Sequence, residues 1–234
     1  MQFGYKIKII YLVSSVSIIQ LAPAAFAQVH TVKNAKVYRQ QFRVDSMQKM
    51  IEIKTLVPGV VYDLRYATKN NFTNTRLYKT GNSTFLRLPV ALALQRVQIE
   101  LNQKGFGIKI YDAYRPYAVT KKMWDLIGDE RYVANPSKGS GHNRGLAIDL
   151  TLINLSNDNE LDMGTGFDNF TDTAHHVFRN LPSTVLQNRT LLKETMEKYG
   201  FRSFETEWWH YSWPNDRNYE VLDLDFKKLE KYAY

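Results

Sequence analysis

Two short stretches, Ser140-Gly-His142-Asn-Arg-Gly145-Leu-Ala147-Ile-Asp149 and Glu207-Trp208-Trp209-His210, place two histidines and two carboxylates in a pattern suited to a catalytic metal ion. A zinc that does chemistry commonly keeps three protein ligands from His, Asp or Glu and leaves the fourth position to water. His142, Asp149 and His210 are expected to fill that role, holding one Zn2+ per subunit, with Glu207 beside the bound water as a base. Such an ion lowers the pKa of its water towards about 7 and polarises the carbonyl under attack. A carboxylate at hand takes the proton from that water and delivers it to the leaving amine.

The spacing constrains what must hold these groups. His142 and Asp149 are seven apart, and one strand cannot aim both at a single ion. A loop leading into a strand can, with His142 in a turn that Gly141 and Gly145 let bend tightly and Asp149 late in the strand. Glu207 and His210 are three apart, close enough for one to sit on the metal and the other beside it. The competing histidines are His175 and His176, which are adjacent, point in different directions and lie in a polar stretch that reads as solvated. His30 stands near the expected mature terminus. Arg115 follows a strand and precedes Pro116, which fixes it at a strand end. A guanidinium held there suits the oxyanion of a peptide carbonyl; a salt bridge with Asp112 or another carboxylate is an equal reading. Trp208 and Trp209 are core or pocket wall.

Along the chain, a turn and short strand are expected at 57–64 and a helix at 88–104 with apolar Val90, Leu92, Leu94, Val97 and Leu101, stopped by Gly105. A strand follows at 107–114, a helix at 117–126, a Gly/Ser/Asn/Pro loop at 133–145 and a strand at 146–152. A polar loop spans 154–172, a helix 188–199, and strands 201–204 and 208–213. Helices mixed with antiparallel strands, without a βαβ rhythm, predict an α+β fold, one domain with a central antiparallel sheet flanked by helices.

Lys6 and Lys8, the apolar run 9–19 and Ala25-Phe26-Ala27 predict a cleaved signal peptide over 1–27. Residues 28–50 then form an N-terminal extension or leading helix, and 51–234 the catalytic domain. No later segment is apolar enough for a stable membrane span. Loss of Lys6 and Lys8 takes the net charge from +8 to +6. That balance suits an anionic surface or polymer, but scattered Lys and Arg residues exclude a nucleic-acid signature. The absence of cysteine removes disulfides and thiolate metal sites, so any metal must take His and carboxylate ligands.

Ser-x-His-x6-Asp followed by Glu-x-x-His resembles the zinc D-alanyl-D-alanine peptidases that share a fold with the hedgehog signalling domain. Within them the chain is similar to the D-Ala-D-Ala dipeptidase branch, the VanX-like enzymes of vancomycin resistance. The similarity runs from about residue 52 to 215 through Val61-Tyr-Asp-Leu-Arg65-Tyr66-Ala-Thr68, Asn71-Phe-Thr73, Asp112-Ala-Tyr-Arg115-Pro116, Asp162-Met-Gly-Thr-Gly-Phe-Asp168, Asn188-Arg189-x-Leu191-Leu192 and Glu207-Trp-Trp-His210-Tyr211. The resemblance implies His142, Asp149 and His210 as zinc ligands, Glu207 as general base and Arg115 as transition-state stabiliser. It also implies that Ser140 and Asp168 contact the two ends of a D-Ala-D-Ala substrate, at the carboxylate and the ammonium. A dipeptide is a zwitterion, so a negative group for its ammonium excludes longer peptides, whose nitrogen there is an uncharged amide. The implied activity is hydrolysis of free D-Ala-D-Ala. The alternatives are a D,D-carboxypeptidase or endopeptidase acting on peptidoglycan stems and a non-catalytic zinc-containing wall-binding module. The export signal departs from the cytosolic resistance enzymes and points to periplasmic turnover of wall dipeptide.

Overall fold

Alternating apolar residues along 106–112 and 147–154 build the two middle strands of the molecule, and everything that positions the site is arranged around them. The computed structural model describes Met1, residues 29–80 and residues 82–232. The expected signal peptide therefore lies outside the described residues apart from Met1. In chain order the elements are β1 (Thr31–Val32), α1 (Ala35–Val44), β2 (Met50–Glu52), α2 (Ile53–Leu56), β3 (Val61–Tyr62), β4 (Phe85–Arg87), α3 (Leu88–Gln103) and β5 (Phe106–Asp112). There follow α4 (Tyr117–Ile127), α5 (Gly141–Arg144), β6 (Ala147–Asn154), α6 (Ser183–Lys198), β7 (Arg202–Phe204), β8 (Glu207–Ser212), β9 (Val221–Leu222) and α7 (Phe226–Glu230).

The main sheet has five strands in the order β3-β5-β6-β8-β7, antiparallel except for the parallel β3–β5 edge pair. With its flanking helices it makes the α+β architecture expected from the sequence. Successive strand residues face opposite sides. Ile148, Leu150 and Leu152 therefore share one face, where they join Ile108 and Ile110 and the buried side of α3 in the larger core. Asp149 and Thr151 face the other way, so a single strand supplies both core and site.

Pro89 suits the first turn of α3, where its missing N–H costs nothing. Val90, Ala91, Leu94, Val97 and Leu101 form the buried side of this helix, but Leu92 stays 40 % exposed, so the stripe read from sequence included one outward position. The sixth helix starts at Ser183, five residues before the expected Asn188, because Pro182 presets the backbone at its N-cap. The expected loop 133–145 ends in a helical turn, α5. Ser140 and Asn143 cap it reciprocally: Ser140 Oγ accepts from the Asn143 N–H, and Asn143 Oδ1 accepts from the Ser140 N–H.

Residues 29–50 are packed onto the domain. β1 pairs in parallel with β9, and Asn34 caps α1. Tyr38 is fully buried, its hydroxyl accepting from the Met50 N–H at 2.6 Å. This segment, α4 and α7 share a second core with Phe85, Tyr114 and Phe226. Among the described residues no helix is long and apolar enough to cross a membrane.

Candidate metal centre and active site

Register across three strands brings the polar groups together. Asp149 on β6 lies directly opposite His210 on β8 and opposite Asp112 on β5. The β5–β6 ladder shifts between Ile110 and Asp112, and that bulge aligns the two aspartates. Asp149 is the third residue of its strand, earlier than the sequence reading placed it, because β6 continues to Asn154. His142 comes from α5, packed against the start of β6.

Ligand atoms of His142, Asp149 and His210 lie within 4.8 Å of one another, so the three could hold a metal ion. His210 Nδ1 is 2.8 Å from one Asp149 oxygen, and His142 Nε2 is 3.4 Å from the other. The two ring nitrogens stand 3.3 Å apart. His142 Nδ1 lies 2.8 Å from the Ala113 carbonyl, which can only accept. The ring must therefore donate there, leaving the Nε2 lone pair aimed at its two neighbours. A cation fits this donor set: one anionic oxygen and two nitrogens converge, all are buried or nearly so, and the outer nitrogen of His142 is already committed. Burial alone would raise the Asp149 carboxyl, but the two imidazoles beside it hold it well below the ordinary carboxylate range. The same carboxylate pushes His210 up, against the opposing effect of burial.

Glu207 opens β8 with its carboxylate 3.9 Å from His210 Nδ1. A regular strand would turn residues 207 and 210 to opposite faces; the β7–β8 ladder shifts between Ser203 and Phe204, which pairs with Glu207. Burial pushes the Glu207 carboxyl up to about 7, against the pull of His210. Arg115 is 7 % exposed. Its Nε and Nη2 each reach Asp112 Oδ2 at 2.8 Å, and Nη2 stands 3.8 Å from Asp149. Tyr78 donates to the other Asp112 oxygen at 2.7 Å, and the Tyr66 ring lies under the guanidinium at 4.8 Å. Arg115 therefore forms the salt bridge with Asp112, and that bridge holds its guanidinium beside the cluster. Burial pushes the Asp112 carboxyl up, and Arg115 beside it pulls the other way.

A cavity of about 330 Å³ opens over this cluster, lined among others by Arg115, Ser140, Asp168, Glu207 and Trp209. Asp168 adopts a left-handed backbone, φ +58°. It accepts a 2.8 Å bond from the Tyr66 hydroxyl on one oxygen, while its other oxygen is buried without a protein partner. Burial pushes this carboxyl up to about 8, with Tyr66 pulling it down and Asp149 pushing it up. Ser140 spends a lone pair on its cap, which leaves the hydroxyl proton for a ligand. Sequence reasoning left Tyr66 and Tyr78 without site roles and took Asp112 only as a possible partner of Arg115. Tyr66 stood in a quoted motif and Tyr78 in none, and the contacts span as many as 102 residues. His175 stays outside the cluster. His176, read from sequence as solvated, is half-buried with Nε2 unpartnered. Burial lowers it to about 4, because its backbone N–H bonds the Glu205 carbonyl and draws the ring against Tyr211.

Gly145 ends α5 at φ +70°, and a Cβ there would lie 2.5 Å from Met50 Sδ and 3.3 Å from the Arg87 nitrogen. Gly145→Ala thus combines left-handed strain with overpacking. It is expected to destabilise by about 3 kcal/mol, roughly 6–12 °C in Tm for a domain of this size. Thermal unfolding of the variant measures this directly; an unchanged Tm would mean that α5 shifts freely.

An M15 peptidase family model described as D-ala-D-ala dipeptidase matches residues 46–229. A D-alanyl-D-alanine dipeptidase of Escherichia coli (strain K12) is 32 % identical over 178 residues, 76 % of this chain and 91 % of that one. One from Enterococcus faecalis is 34 % identical over 176 residues, covering 67 % and 87 %. Among solved structures the LD-carboxypeptidase LdcB matches with TM-score 0.42 at 19 % identity, covering 80 % of this chain and 78 % of that one.

Proposed function

The chain belongs to the D-Ala-D-Ala dipeptidase family of M15 metallopeptidases, and from that premise we propose that it is a zinc enzyme hydrolysing free D-Ala-D-Ala to two D-alanines. The observation that carries this reading is one cavity holding both a three-ligand cluster with Glu207 and Arg115 beside it and, as a separate anionic group, Asp168 with a buried oxygen awaiting a donor.

When held by His142, Asp149 and His210, zinc supplies a Lewis acid that polarises the scissile carbonyl and makes water acidic enough to attack. Glu207 takes the proton from the attacking water and passes it to the leaving nitrogen. Burial pushes its carboxyl up, and a divalent charge bound nearby would favour the ionised form that starts the cycle. Arg115, locked by Asp112 and Tyr78, places its positive charge where the oxyanion develops and needs no rearrangement to do so. Asp168 accepts from the substrate ammonium, whose charge returns the carboxyl to its ionised state. The Ser140 hydroxyl donates to the substrate carboxylate. Trp209, 1 % exposed, closes the cavity wall.

Export through residues 1–27 would place this chemistry in the periplasm, acting on dipeptide released from peptidoglycan; the mass of the mature N-terminus checks it. The activity itself is tested by product analysis. D-alanine released from free D-Ala-D-Ala, with N-acetylated dipeptide and stem pentapeptide left intact, is the expected result. Cleavage of the pentapeptide alone would make the protein a carboxypeptidase, and no cleavage by zinc-loaded protein would leave the wall-binding reading. Asp168→Asn, which keeps a residue tolerant of the left-handed backbone, is expected to raise KM for the free dipeptide by about 10- to 100-fold, the loss of a charge-assisted hydrogen bond.

A further inference from the structure

Asp168 is delivered to the cavity by a loop, and both ends of that loop hang from one side chain. Arg189 lies on α6 and is 5 % exposed. Its Nε donates to the Met163 carbonyl at 2.7 Å, Nη2 to Thr173 at 2.9 Å and Nη1 to His175 at 3.2 Å. Asn188 adds a bond from Nδ2 to the Asp162 carbonyl at 2.9 Å. Residues 164–172 are what lies between these anchors. At Gly164, φ +78°, the loop passes so close to α6 and the turn before it that a Cβ would stand 2.9 Å from Val185 and 3.0 Å from Leu181. Inside the loop, Thr165 accepts from Trp208 Nε1 at 2.8 Å. Phe167 packs its ring on Tyr111 and Trp209 at centroid distances of 4.8 and 5.5 Å. Asp168 is the next residue, turned to the cavity by its left-handed backbone.

We propose that Arg189, assisted by Asn188, is a positioning residue for substrate recognition, setting the reach of Asp168 to the ammonium of a free dipeptide. The inference rests on the reading of Asp168 given above. Three backbone carbonyls from two chain segments are an unusual load for one buried charge, and the flat guanidinium fork satisfies all three with little loss of freedom. A lysine can reach them only one at a time from a single point. The motif Asn188-Arg189 thereby acquires a task that it shares with no group at the metal cluster.

The test compares Arg189→Met and Arg189→Lys with the parent, using zinc-loaded full-length protein on free D-Ala-D-Ala and on its N-acetyl derivative, with Asp168→Asn as the reference. Misplacement of a recognition group by about 1 Å costs on the order of 100-fold. Arg189→Met should raise KM for the free dipeptide at least about tenfold on that scale, with kcat changed less than about threefold, and should erode the preference for free over acetylated substrate. Arg189→Lys should recover part of both effects. Should Arg189→Met not fold, the lysine variant must still show the KM shift together with faster amide hydrogen exchange confined to residues 164–172. Equal losses in kcat and for both substrates, or an unchanged KM, would overturn the proposal. If Asp168→Asn abolishes the preference and the Arg189 variants leave it intact, the positioning role fails alone. If Asp168→Asn itself leaves the preference intact, the ammonium reading fails first.

Discussion

Glu207→Ala is expected to lower kcat for D-Ala-D-Ala by about 10²- to 10⁴-fold, the usual contribution of a placed general base, while zinc content stays at the parent level. The separation of the two outcomes follows from geometry. His142, Asp149 and His210 converge through their own registers and through the bond of His142 to Ala113. Glu207 stands at 3.9 Å from His210 and holds none of them in place. In the metal-free protein burial pushes its carboxyl up to about 7, so its charge does not stabilise the fold there, and the metal-free variant should unfold at the parent temperature or slightly above it. Steady-state rates, metal analysis and a melting curve on one preparation check all three. Loss of zinc from Glu207→Ala would move this residue from the role of base to that of ligand.

Arg115→Lys is the second large effect, an expected loss of about 10²- to 10³-fold in kcat, the size seen when an oxyanion donor is removed. Lysine keeps a charge for Asp112 but lacks the fork by which Nε and Nη2 share Oδ2. The donor aimed at the reacting carbonyl is then no longer fixed. Arg115→Ala is a poorer probe. It strands a fully buried Asp112 carboxylate, and breaking a buried pair in this way costs about 3–5 kcal/mol of stability. A lysine variant that folds normally and turns over at the parent rate would remove Arg115 from the transition state and leave only its salt bridge.

How far the site could be read in advance depended on what each residue needed. With five histidines and no cysteine in the chain, few ligand sets were possible, and the motif spacing narrowed them further. The helices expected at 88–104 and 117–126 form at 88–103 and 117–127, the first legible because apolar periodicity and Gly105 marked it locally. Register was not legible. Nothing in the local pattern of β5 announces the bulge that sets Asp112 opposite Asp149, nor the shift near Phe204 that lets Glu207 and His210 approach each other. Contacts between distant segments were equally hidden. Tyr66 meets Asp168 across 102 positions, and Arg189 meets Met163 across 26. His176 read as solvated because its neighbours in sequence are polar, whereas its burial comes from the β7–β8 hairpin packed over it. Residues 29–50 carried few apolar signals, yet Val32, Tyr38 and Met50 root them in the second core.

D-alanine release from free D-Ala-D-Ala by one sample carried through metal removal and zinc readdition tests the metal centre most directly. Stripped protein should be inert but folded, and turnover should return in step with zinc until it saturates at one ion per chain. His210→Ala, carried through the same titration, should recover little activity. Full turnover by stripped protein, or a titration that His210→Ala follows unchanged, would contradict a metal centre built from His142, Asp149 and His210.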